Sequence, residues 1–258
     1  VSEPAVAFSQ VTFRRGPRAI LDRVSFALEP GEFVGIIGGN GAGKSTLLQL
    51  TLGLLAPSAG EIRIFGKPPH AARGILGYVP QRIELDPDLP LRARDFVGLG
   101  IDGARFGLPW PNAARRARVE ETLAEVGAAT LADSAVGRLS GGEQQRLAIA
   151  QAIVGRPRLL LLDEPLANLD LDGAAEIVEL VARLGRERGM TVMLVAHDVN
   201  PLVRAMDRIL YLAGGRSAIG TVDAVVNEDT LSRLYDRPVD VLRVRGRLIV
   251  VAGTEIHE

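Results

Sequence analysis

Eight residues near the start of the chain, Gly38-Gly39-Asn40-Gly41-Ala42-Gly43-Lys44-Ser45, match the pattern G-x-x-x-x-G-K-[ST]. No other stretch restricts the fold as tightly. The apolar run Phe33 to Ile37 precedes it and the leucine-rich stretch Lys44 to Leu54 follows it, so the loop is predicted to join a strand to a helix. Glycines let the backbone turn sharply with its N–H groups aimed inward, and the next helix presents the positive end of its dipole. Such a loop suits phosphate. Lys44 is then expected to reach the outer phosphates and the Ser45 hydroxyl to bind Mg²⁺, with Thr46 next along the helix. Leucines at 47, 48, 50, 52, 54 and 55 predict that this helix is buried on most of its surface.

Two more apolar runs, Leu159 to Leu162 and Thr191 to Ala196, are likewise continuous rather than alternating. All three read as strands covered on both faces, which is the signature of a parallel sheet with helices on either side. Each run ends in polar residues: the glycine loop, Asp163-Glu164, and His197-Asp198. In open α/β sheets ligands sit at the carboxyl ends of the strands, so these clusters are candidates for one site. Strand alternation should send Asp163 and Glu164 in different directions, one to the metal and one to the attacking water. Asp163 is therefore assigned to Mg²⁺ and Glu164 to general base.

The string Leu139-Ser140-Gly141-Gly142-Glu143-Gln144-Gln145-Arg146 reads first as a helix start, because Ser140 with Glu143 three residues on is a capping box. Its two glycines say more. They strip side chains from a helix N-terminus and leave N–H donors suited to a phosphate.

Between about residues 82 and 150 the chain is rich in Arg, Ala and Pro, with Pro87, Pro90, Pro109 and Pro111 as punctuation. Ala113 to Val126 reads as an amphipathic helix, and the segment as a helical insert. After Gly214 comes a small appendage. Arg208 to Ala213 and Ser217 to Ile219 can pair about Gly214-Gly215, Thr221 and Asn227 can cap two short helices, and Val239 to Val244 can pair with Leu248 to Val251 about Arg245-Gly246. Lys and Arg total 30 against 31 Asp and Glu, an even balance that gives no electrostatic reason to expect nucleic acid as a partner. No cysteine is present, which excludes disulfides, thiolate metal sites and a cysteine nucleophile. The first residues show neither the basic flank nor the apolar run of a secretion signal, and no stretch of ~18 apolar residues occurs. The chain is not expected to cross a membrane by itself.

Glycine loop, Leu-Ser-Gly-Gly-Glu-Gln string, then apolar strand with Asp-Glu, in that order, resembles the nucleotide-binding subunit of an ATP-binding cassette (ABC) transporter. The likeness spans about Val6 to Ile219. It implies an α/β fold of the P-loop NTPase class, ABC ATPase type. A mainly parallel core sheet would carry an inserted helical subdomain and an N-terminal antiparallel β part. The ATPase domain would cover residues 1–219 and the appendage residues 220–258. It also implies roles for other residues. Gln81, in Tyr78-Val79-Pro80-Gln81, resembles the glutamine that contacts Mg²⁺ and the attacking water; Asn168-Leu169-Asp170 resembles the loop after the paired acids; His197 resembles the switch histidine on the terminal phosphate. In this family two copies pair head to tail. Ser140, Gly141 and Gly142 of one copy would then close on ATP held by Gly38, Gly39, Asn40, Gly41, Ala42, Gly43, Lys44, Ser45 and Thr46 of the other, with Asp170 reaching across.

One departure concerns the base. Where the family often has Phe-x-Tyr-Gly, this chain has Phe13-Arg14-Arg15-Gly16, so Arg15 takes the tyrosine position. An arginine plane can stack on adenine or point to solvent, and Phe13 is read as core.

Asp88-Leu89-Pro90-Leu91, Asp95-Phe96-Val97-Gly98 and especially His197-Asp198-Val199-Asn200-Pro201 are similar to the ATPases of bacterial zinc, manganese or iron importers. That implies a homodimer docked on polytopic permease subunits at the cytoplasmic face of the membrane, served indirectly by a substrate-binding protein. The alternative is a single-cassette soluble ABC ATPase, for example in cofactor assembly. His70, His197 and His257 are scattered and do not suggest a transition-metal site in this chain.

Overall fold

A computed structural model describes residues 3–81, 90–102, 113–167 and 169–252. Arg82, Pro87, Asp88, Leu89, Pro109, Pro111, Asn168 and His257 lie outside them. In chain order the elements are β1 (Val6–Arg15), β2 (Arg18–Leu28), β3 (Phe33–Gly38), α1 (Lys44–Thr51), β4 (Ala59–Ile64), α2 (Pro69–Ala72), β5 (Leu76–Val79), α3 (Ala93–Asp102) and α4 (Ala113–Glu125). Then follow α5 (Gly141–Ile153), β6 (Leu159–Asp163), α6 (Leu171–Arg188), β7 (Thr191–Ala196), β8 (Arg208–Ala213), β9 (Arg216–Gly220), α7 (Val222–Val225), α8 (Glu228–Tyr235), β10 (Val239–Val244) and β11 (Arg247–Ala252). The chain forms two compact units, Val1–Arg73 with Thr191–Glu258, and Gly74–Met190.

The first unit holds an antiparallel sheet in which β1 pairs with both β2 and β4. Beside it in the same unit, β3 pairs in parallel with β7 and β8, and β9 turns back antiparallel on β8. Every residue of β3 and β7 is buried, as continuous Val, Ile and Leu runs require when both faces are covered. The β8–β9 turn uses Gly214 and Gly215, both at positive φ, and the β10–β11 hairpin turns on Arg245 and Gly246, also both positive. That geometry matches the twist of a two-residue hairpin. Thr221 and Asn227 cap α7 and α8 through the amides of Ala224 and Thr230.

Helix α1 is shorter than its leucines suggest. It ends at Thr51, with Gly53 at a φ of 65° and Leu54 63% exposed, so of these leucines only Leu47, Leu48 and Leu50 are buried. The reason is local: a left-handed glycine stops the helix, and a Cβ there would stand 2.9 Å from the His70 nitrogen. Phe13 is half-buried rather than core, because it lies near the hairpin end of β1.

In the second unit β5 and β6 pair in parallel, and β6 is wholly buried. Among the described residues of the insert, α3 and α4 are helical, with single 3-10 turns at Ala129–Leu131 and Val136–Arg138. Helix α5 starts on the capping box read from the sequence, and α6 runs from an Asp170 cap to the left-handed Gly189.

Candidate nucleotide site

In the first unit the glycine loop leaves β3 at Gly38 and enters α1 at Lys44. Gly38 has no room for a side chain: a Cβ would stand 2.3 Å from the carbonyl oxygen of Leu212 on β8. Gly43 caps α1 at a φ of 101°, and a Cβ there would meet Leu21 of β2 at 2.8 Å. Around Gly41, also at positive φ, the space is open. The four glycines are thus of two kinds: Gly38 and Gly43 are forced by packing, and Gly39 and Gly41 border open space. No side chain caps α1 and no acid lies in its first turn, an arrangement that favours an anion at its N-terminus.

Lys44 is 6% exposed, and its Nζ donates to the carbonyls of Gly38 at 2.8 Å and Gly39 at 3.1 Å. The ammonium is held over the loop. Ser45 is exposed beside it and Thr46 half-buried. In the β3–β7 register Ile37 faces Ala196, so His197, the next residue and exposed, emerges at the same strand edge as Gly38. Arg15 is exposed at the end of β1, opposite Arg18 across the β1–β2 hairpin, whose Ile20 and Leu21 lie against Gly43.

In the second unit Asp163 ends β6 at 7% exposure, and Glu164 follows at 9%. Strand alternation does not extend to Glu164, which lies outside β6 at a left-handed φ of 50°. Gln81 donates from Nε2 to Glu164 Oε2 at 2.6 Å. Parallel register explains the meeting: Val79 pairs with Leu162, and Gln81 and Glu164 each lie two residues further on. Burial first, then the Asp163 charge, pushes the Tyr78 hydroxyl above its ordinary range. Spacing alone gave no sign of Tyr78 beside Asp163, because the register between β5 and the wholly buried β6 leaves no sequence trace.

Ser140, Gly141 and Gly142 form the first turn of α5. The Ser140 amide donates to Glu143 Oε2 at 2.8 Å, its hydroxyl donates to the same oxygen at 2.7 Å, and the Glu143 amide returns a bond to Ser140 Oγ at 3.4 Å. These bonds from Ser140 hold the Glu143 carboxyl below the ordinary value of 4.5. A Cβ on Gly141 or Gly142 would meet nothing within 4 Å, so that turn has an open backbone face. Gln144 steadies its approach by donating to the carbonyls of Val136 and Leu139. Asp170 accepts from the Gly173 amide at 2.9 Å as the cap of α6. The first unit therefore gathers the glycine loop and His197, and the second gathers Gln81, Asp163 and Glu164. Ser140 to Gly142 and Asp170 stand at two separate helix starts.

A parallel strand ending in a glycine cradle, with a lysine folded over it and a helix start behind it, defines a P-loop nucleotide-binding protein. Residues 21–167 match the family profile described as ABC transporter. The chain belongs to that family and is an ATP-binding, ATP-hydrolysing protein of the ABC type. It is 39% identical over 204 residues, 79% of this chain and 72% of the relative, to the zinc import ATP-binding protein ZnuC of Paramagnetospirillum magneticum. Among solved structures it resembles an inward-facing putative metal-chelate type ABC transporter, with a TM-score of 0.81, 25% identity and 98% of both chains covered. It also resembles the dimeric post-hydrolysis state of an ATP-binding cassette bound to ADP and phosphate, with a TM-score of 0.72, 32% identity, 84% of this chain and 98% of that one.

Proposed function

We propose that this chain powers an importer of metal ions, zinc or manganese, by hydrolysing ATP as a homodimer bound to polytopic permease subunits. The observation that supports it best is the likeness to a zinc import ATP-binding protein across most of both chains. No helix among the described residues is long and apolar enough to cross a membrane. We place the dimer peripherally at the cytoplasmic face, with a substrate-binding protein acting upstream of the permease. Residues 1–219 are read as the ATPase domain and 220–258 as an appendage.

In this reading Gly38 to Thr46 hold the phosphates of ATP and Lys44 neutralises the outer ones. The donors proposed for Mg²⁺ are the Ser45 hydroxyl, the Asp163 carboxylate and the Gln81 amide, all hard oxygen groups of the kind that ion prefers. Bound there, it would draw charge from the phosphate oxygens. Glu164 takes the proton of the attacking water, with Gln81 holding its carboxylate, and His197 steadies the terminal phosphate. The open face of Ser140 to Gly142 serves the nucleotide of the second copy, Asp170 reaches the partner, and Arg15 lies under adenine.

The test is transport by the chain reconstituted with its permease in vesicles. Zinc or manganese should enter only with ATP, and Lys44→Ala should abolish both uptake and ATP binding. ATP turnover with no uptake of either ion would refute the cargo, and undiminished ATP affinity in Lys44→Ala would refute the phosphate role.

A further inference from the structure

The loop that carries His197 is tied to the C-terminal hairpin by one side chain. Asn200 Nδ2 donates to the carbonyl of Leu248 at 2.9 Å, and the Leu248 amide donates back to Asn200 Oδ1 at 2.8 Å. The amide thus pairs with β11 as another strand would. Asn200 Nδ2 also donates to Asp198 Oδ1 at 2.7 Å, and the Asn200 backbone amide donates to the same oxygen at 2.9 Å. Both ends of the amide are satisfied, and Asn200, three residues after His197, is bonded to a hairpin 48 positions later.

The rest of the unit shows what each end of the clamp stands on. Beyond Asn200, Leu202 and Met206 are buried against β3, where a Cβ on Gly35 would meet Met206 Sδ at 2.7 Å and Leu202 Cδ1 at 3.1 Å. Asp207 then closes the segment on β3, exchanging bonds with the Phe33 amide and carbonyl. The hairpin has its own supports: the Val239 amide donates to Ser232 Oγ of α8, Arg243 pairs with Asp223 of α7, and Leu248 is 7% exposed. One anchor therefore fixes the segment to the strand that bears the glycine loop. The other fixes its first residues to the appendage through the Asn200 amide.

We propose that Asn200 is a positioning residue for hydrolysis, and that the appendage acts as a brace which, through Leu248 and Asn200, sets the aim of His197. The inference rests on the proposed role of His197. Without the clamp the β3 anchor still holds the fold, so the loss falls on the placement of the imidazole rather than on nucleotide binding. An error near 1 Å in such a group is costly to rate.

The test compares the full-length chain with Asn200→Ala, Leu248→Pro, the double variant and His197→Ala. Proline removes the Leu248 donor from the outer edge of β11, a place where a strand tolerates it. Asn200→Ala should lower kcat about 10- to 100-fold, as loss of an orienting residue does elsewhere, with ATP affinity and melting temperature near those of the parent. Leu248→Pro should lower kcat in the same range, with a lower melting temperature because a side chain only 7% exposed is lost, and the double variant should turn over no more slowly than the single ones, since both break one link. If His197→Ala is inactive while Asn200→Ala turns over normally, the brace is refuted and the role of His197 stands. Parent turnover in His197→Ala refutes the role itself, and the brace with it. In Asn200→Ala, loss of ATP binding or of thermal stability in step with kcat would show a merely structural bond, and normal turnover in Leu248→Pro would remove the hairpin from the mechanism.

Discussion

Replacing Glu164 by glutamine separates two roles that the structure gives one carboxylate. Glu164 accepts a 2.6 Å bond from Gln81, and it is the proposed base. Glutamine has the same length and can accept that bond through its own oxygen, so the change removes charge and basicity while keeping shape. A hydrogen bond to a charged group contributes about 1.5–3 kcal/mol and a neutral one about 0.5–1.5, so weakening the Gln81 contact costs about 1 kcal/mol. If Glu164 only steadied Gln81, turnover would drop about fivefold. A general base is worth about 100- to 10,000-fold. The two explanations differ by more than a factor of ten, which a steady-state phosphate-release assay at saturating ATP resolves. The variant should bind ATP, turn over at least about 100-fold more slowly, and accumulate as an ATP-dependent dimer by light scattering. Turnover within about tenfold of the parent would refute the assignment of the base.

Gly38→Ala places a methyl 2.3 Å from the Leu212 oxygen and should force β3 from β8, at a cost of about 1–3 kcal/mol. A lowered melting temperature with weaker ATP binding is expected, and a parent-like melt would refute the close approach. Asp170→Ala should lose about 1 kcal/mol of helix capping, or about 2–4 °C in melting temperature. Asp170→Ser should restore the melt but not the turnover; full activity in the serine variant would confine Asp170 to capping. The Glu143 carboxyl is depressed by Ser140, so its contribution to the start of α5 is complete above the ordinary value of 4.5 and is lost as pH falls through the depressed one. Carboxyl titration by NMR should give a midpoint below 4.5 that Ser140→Ala moves up toward the ordinary value, the backbone amide bond remaining, and an undepressed midpoint would refute the capping bonds.

Much of this architecture was legible because it rests on local or composition-level physics. Continuous apolar runs marked β3, β6 and β7 since strands covered on both faces tolerate nothing else. Ser140, Thr221 and Asn227 announced their helices since only short polar side chains fold back onto the first turn. What stayed hidden depends on relations between distant segments. The meeting of Gln81 with Glu164 follows from the β5–β6 register, and the tie from the Asn200 side chain ends on backbone groups of Leu248 that any residue could offer. The early end of α1 was concealed by leucines that continue past Gly53 into exposed chain.

The left-handed backbone at Glu164 has a consequence for how this position can change over generations. A non-glycine residue held there costs about 1–3 kcal/mol, which glycine would relieve only by giving up the 2.6 Å bond from Gln81. Backbone strain and the side-chain bond thus offset each other at this position. On the proposed role of Glu164, variants selected for stability alone have little to gain at 164 and their turnover to lose.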